Sequence, residues 1–227
     1  NGGTFTVDSS DDSLHCNGDM TIAGGTFTIS SGDDGLHADD AMVISGGEIT
    51  ISKSYEGIEG STILISGGEI SVAASDDGLN AAGGNDSSSL NGRPGQNEFA
   101  ADSDIWIRIS GGKLSVNADG DGIDSNGNLY VEGGETYVSG PTNGGNGALD
   151  YETDAVITGG ILIAAGSSGM TVNFGEKSTQ GSILLNTGSQ EAGTDIVLTD
   201  ASGTELLSWQ SSKSYASVVI SCPEIVQ

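Results

Sequence analysis

Basic residues are scarce in this chain of 227 residues: six Lys and Arg stand against 32 Asp and Glu, for a formal net charge of −26. So few cations cannot replace the counterions on a nucleic acid, so phosphate-backbone binding is excluded. Anionic membranes are disfavoured for the same reason. Proline is nearly absent, at three residues, although glycine reaches 38. Collagen needs Gly at every third position and abundant Pro, so this glycine belongs to tight turns instead. Only Cys16 and Cys222 carry thiols, with no Cys-x-x-Cys, which removes a zinc ribbon and a dithiol redox motif. No apolar run approaches the length that spans a bilayer, so no membrane insertion is expected. Helical spacing of apolar residues is hardly found, and aromatics are only 5%. No leader peptide is visible. Residue 1 already lies inside a repeat, so we expect a processed or truncated product whose export signal lay upstream.

What the chain does have is a period. Gly-Gly occurs at 2–3, 24–25, 46–47, 67–68, 111–112, 133–134 and 159–160, in steps of 22, 22, 21, 44, 22 and 26. The step of 44 reads as two periods, and that of 26 as one period plus a short insertion. After each pair comes an alternating strand (Phe27/Ile29, Ile49/Ile51), then an acidic turn and one apolar residue (Leu14, Leu36, Ile58, Leu79, Ile123, Leu149). A second alternating strand follows (Met42/Ile44, Ile63/Ile65). Apolar residues two apart share one face of a strand. No single repeat can bury that face, so repeats must stack with like residue on like. The expected fold is all-β: a right-handed parallel β-helix of about 22 residues per coil over 1–165, with an inserted loop at about 83–104. Leucine-rich repeats and β-propellers do not fit the motif or the period. From 166 to 227 the repeat fades into antiparallel-looking strands, which we expect to form a C-terminal β cap packed on the last coil.

Aligning the repeats brings out an acidic ladder. One column reads Asp12, Asp34, Glu56, Asp77, Asp121, with Asp11, Asp33, Asp76 and Asp119 beside it. Three positions on, a second column reads His15, His37, Glu59, Asn80, Asp124, Asp150. Carboxylates about 5 Å apart repel by roughly 1 kcal/mol per pair even in water. Lys53 is the only base near them in sequence. Calcium, which takes several carboxylate and carbonyl oxygens in a flexible shell, is the compensation these residues suit. Two other readings stay open. The Asp side chains cap backbone N–H groups of the turns, a role that can coexist with calcium. Alternatively the two histidines are ligands of a transition metal.

The runs SDDGLN, GGNDSSSLNGRPG, SGGKLSVNADGDGIDSNGNLYVEGG, GPTNGGNGALDY, ITGGILIAAGSSGM and SKSYASVVIS resemble a secreted bacterial carbohydrate-binding β-helix family, once classed as of unknown function and similar in fold to family 9 pectate lyases. The resemblance implies a right-handed parallel β-helix, bound Ca2+, an extracellular or cell-surface location, and a partner among plant or microbial cell-wall polysaccharides, acidic pectic polymers included. It does not assign residues to sugar.

A protein this acidic repels polygalacturonate unless calcium bridges the carboxylates of both. Neutral glycans would instead need aromatic platforms, for which Tyr55, Trp106, Tyr130, Tyr137 and Tyr151 are candidates, with Lys53 as a polar contact; ordinary outward β-formers read the same way. Calcium-dependent binding of acidic cell-wall polysaccharide is the reading adopted. One alternative is a self-assembling surface fibre, since an open first rung is a template for end-to-end pairing. Cys16 and Cys222, far apart along a solenoid, could then bond between molecules, although Cys16 falls in a small inward column. The other is a pectate-lyase-like enzyme, with Lys53 as the one plausible base. No Ser-His-Asp set, P-loop or dinucleotide fingerprint is present, and GSSGM at 166–170 lacks the strand–turn–helix context of a nucleophile motif.

Overall fold

The computed structural model describes residues 2–82 and 102–226. Most of the inserted loop expected at 83–104, and with it Arg93, lies outside the described residues. Within them the chain is all-β with no helix, and stacked parallel coils form a β-solenoid of about six turns.

Period-two alternation decides which side chains go inside, and the constant period decides what they stack on. Phe5, Phe27, Ile49, Ile70, Leu114, Thr136 and Leu162 pair in register from coil to coil. So do Met20, Met42, Ile63, Ile107, Leu129 and Ala155 on the next face. The members from Ile49 and Met42 onward are essentially inaccessible to solvent. One member breaks the chemistry: Thr136 is fully buried and its hydroxyl has no hydrogen-bond partner.

Strands such as Met20–Ser30, Leu36–Lys53 and Ile58–Ala74 run straight through a Gly-Gly corner. Gly134 shows why the corner is glycine. Its φ is +79°, and a Cβ there would stand 2.6 Å from the Gly112 carbonyl oxygen of the coil below. Both the left-handed backbone and the close approach exclude a side chain.

The pairing shows how the step of 44 is built. Strand Ile58–Ala74 is bonded directly to Trp106–Ala118, with Ile63 opposite Ile107 and Ile70 opposite Leu114. That step of two periods therefore adds one coil to the stack. Counting residues cannot tell a stacked turn from a loop of equal length.

Beyond the last coil the pairing turns antiparallel. Tyr215–Ser221 lies against Ile161–Gly166, and Ser182–Gln190 against Tyr215–Ser221. A hairpin, Asp195–Thr199 with Glu205–Gln210, stacks Trp209 on Tyr137 at 5.8 Å between centroids. Lys213 donates its ammonium to the Ala118 carbonyl and to Asp119. Cys222 is buried and Cys16 part-buried; neither is in a disulfide.

Candidate functional site

The acidic turns lead directly into the short strands Leu14–Cys16, Leu79–Ala81 and Ile123–Ser125 and the starts of Leu36–Lys53 and Ile58–Ala74, which carry the second column. Glycine sets their depth. A Cβ on Gly57 would stand 2.3 Å from the Gly78 carbonyl oxygen, so the turns nest backbone on backbone.

The second column is continuous in register: His15, His37, Glu59, Asn80, Asp124 and Asp150 lie opposite one another from coil to coil. The first column is tied by its own side chains. The Asp12 Oδ1 accepts the Asp34 N–H at 3.1 Å, and the Asp34 Oδ1 accepts the Glu56 N–H at 3.1 Å. Asp77 does the same for Asp121 at 2.6 Å, and Asp121 for Gly147 at 2.5 Å. One carboxylate oxygen of each of these Asp residues therefore caps the next coil, which is the turn chemistry that Asp favours. The other oxygen remains for the second column. Asp12 Oδ2 meets His15 Nδ1 at 2.8 Å, and Asp34 Oδ2 meets His37 Nδ1 at 3.2 Å.

These acids are deep. Asp34 and Glu59 are each 1% exposed, Glu56 4% and Asn80 5%. Among the described residues no Lys or Arg forms an ion pair with Asp12, Asp34, Glu56, Asp77 or Asp121. Burial pushes the Glu56 carboxyl well above the usual range, and the charges of Glu59, Asp34 and Asp77 push it further, against the Asn80 hydrogen bond. Asp77 is raised well above its ordinary value by burial and by Asp124, Asp121 and Asp76. Asp121 is raised to about 6, chiefly by burial. His37 is also raised: burial would lower it, but the hydrogen bond to Asp34 and the charges of Asp12, Asp34 and Asp39 outweigh that.

Ligand atoms of Asp12, His15 and His37 lie within 4.8 Å of one another. Two further clusters follow along the ladder: oxygens of Asp77, Asp121 and Asp124 lie equally close, as do ligand atoms of Asp34, His37 and Glu59. Asn80 joins the stack between them. Its Nδ2 donates to Glu56 Oε2 at 2.8 Å, while its buried Oδ1 accepts nothing. A buried amide oxygen beside raised carboxyls is a donor set suited to a hard divalent cation.

The remaining candidates are dispersed. Asp11 is exposed but groups with Asp12 and Asp33. Asp119 is exposed and engaged by Lys213. Asp76 accepts the Tyr55 hydroxyl, whose pKa is raised by that hydrogen bond. Lys53 ends its strand exposed to solvent. Trp106 and Tyr130 lie on the outer side of the second face, with the Arg108 guanidinium 5.6 Å from one ring centre and 4.5 Å from the other. Arg108 also pairs with Glu132. Tyr151 stands opposite Ser125 in the small inward column, packs on the core, and gives its hydroxyl to the Asn173 carbonyl at 2.7 Å. Tyr137 is stacked under the cap hairpin.

One neighbour of the ladder was not singled out from sequence: Asp39, whose Oδ1 lies 3.7 Å from His15 Nε2 and 3.4 Å from His37 Nε2. Its place two residues after His37 was the available signal.

A family model described as carbohydrate-binding domain-containing protein matches residues 1–35, a stretch that carries Asp12, His15 and Asp34. That match suggests polysaccharide binding. No curated protein and no solved structure matches the chain.

Proposed function

We propose that this chain binds cell-wall polysaccharide outside the cell, and that calcium held on the ladder bridges it to the carboxylates of an acidic, pectin-like polymer. The observation that carries this reading is a row of buried and half-buried acids whose carboxyls are raised, with no Lys or Arg among the described residues paired to Glu56, Asp77 or Asp121. Glu56, Glu59 and Asn80 would hold one ion; Asp77, Asp121 and Asp124 a second. When bound, calcium supplies positive charge and open coordination positions for a uronate carboxylate. The chain's own part is to fix the oxygens: one oxygen of Asp77 and of Asp121 is spent on a backbone N–H, which leaves the other oriented. The carbohydrate-binding match is consistent with this partner.

The test is retention on immobilised polygalacturonate, with calcium and after exhaustive chelation. Retention should require calcium and fall in a double variant Asp77→Asn, Asp124→Asn. Undiminished retention in excess EDTA would remove calcium from the reading. Retention on neutral glycans alone, lost in Trp106→Ala, would move the site to the Trp106–Tyr130 face.

A further inference from the structure

We propose that His15, His37 and Asp39 form a separate site for a borderline transition-metal cation of the zinc type, at the end of the ladder where imidazoles replace carboxylates. The first two coils spell Asp-x-x-His, Asp12 with His15 and Asp34 with His37; the later coils carry Glu59, Asn80, Asp124 and Asp150 in the same column. Nitrogen donors thus occur only at this end. Imidazole favours zinc, nickel and copper, whereas an oxygen-only set favours calcium.

The geometry orders the two rings as ligands. Each imidazole is held through Nδ1 by the carboxylate three residues before it, at 2.8 Å from Asp12 and 3.2 Å from Asp34. A carboxylate on Nδ1 fixes the tautomer that leaves Nε2 with its lone pair, the outer-shell arrangement of metal-binding histidines. Both Nε2 atoms then face one oxygen of Asp39, at 3.7 and 3.4 Å, and the Asn17 amide, which donates to the His15 Nε2 at 3.2 Å, is the group a metal would displace. Ligand atoms around a tetrahedral zinc stand roughly 3.3 Å apart, given bonds of about 2.0–2.1 Å. The rings are 4.7 Å apart between centroids and tilted by 38°. The His15 side chain is 39% exposed, so it is free to swing inward on binding. Independently of the acids, His37 is 94% buried and its Nε2 has no hydrogen-bond partner. A buried nitrogen without a partner is costly, and a metal bond is what would satisfy it.

Zinc chloride is titrated calorimetrically into the full chain with calcium in excess, so that oxygen-only positions are filled. Cobalt(II) absorption serves as a second readout of nitrogen ligation. One zinc per chain should bind, with the intense visible bands of low-coordinate cobalt. His15→Gln, at an exposed position that leaves the core untouched, and Asp39→Asn should each weaken zinc by about tenfold or more. Asp77→Asn should leave it unchanged. Absence of zinc uptake, affinity unaltered in His15→Gln, or equal weakening in Asp77→Asn each overturns the proposal. The zinc result stands apart from the calcium reading, since loss of calcium binding in Asp77→Asn with zinc intact separates the two.

Discussion

Replacing Asp121 by Asn should stabilise the metal-free protein at neutral pH, although the substitution removes a charge from a proposed cation site. The folded chain holds the Asp121 proton up to about pH 6, against an ordinary value of 3.8. Burial is the main cause, opposed by the Gly147 N–H and reinforced by Asp150 and Asp76. The sign follows from which state binds the proton. Between about pH 4 and pH 6 the unfolded chain has released it and the folded chain has not, so stability falls as pH rises through that window. Above it the whole difference is lost. A gap of about two pH units corresponds to about 3 kcal/mol, an upper figure for a side chain only partly shielded from water. Asparagine avoids the ionisation, and its amide oxygen can still accept the Gly147 N–H that Asp121 holds at 2.5 Å. For a chain of this size, about 3 kcal/mol raises the melting temperature by roughly 6–12 °C. The assay is thermal unfolding by circular dichroism in EDTA. Asp121→Asn should melt well above the parent near pH 7 and close to it near pH 4, where both carry an uncharged group. Calcium should then raise the parent's melting temperature more than the variant's. A variant that melts at or below the parent in EDTA at neutral pH would refute the idea that this carboxylate is uncompensated.

Thr136→Val should stabilise the fold by about 1 kcal/mol in chemical denaturation, because it replaces a fully buried hydroxyl that has no partner. Gly134→Ala should cost more than about 2 kcal/mol or abolish soluble expression, since it forces a side chain onto a φ of +79° and against the Gly112 carbonyl. Lys213→Met removes the bonds to Ala118 and Asp119 and should cost about 1–2 kcal/mol; limited proteolysis should then cut first in the cap, and cleavage beginning in the coils would contradict it.

Much of the solenoid could be read before any coordinates. Alternation at two residues names the inward side chains, and a constant period names their neighbours one coil away. Hence the Phe27–Ile49–Ile70 and His37–Glu59–Asn80 columns were legible. The reach of that logic ends where the period is broken. The 44-residue step adds a single coil, which the count of residues alone leaves undecided. The irregular run before Tyr151 likewise blurs the phase along the chain, and it is the pairing that places Tyr151 opposite Ser125.

The sequence by itself determined which residues share a column, because stacking at one strand spacing makes position within the repeat equivalent to position on the surface. Only the tertiary structure decided how deep each column lies and what flanks it. Glu56 and Asp77 owe their raised carboxyls to burial, which depends on how closely the glycine turns nest. Asp39 meets both imidazoles because side chains from neighbouring coils converge sideways. No period along a single chain encodes either distance.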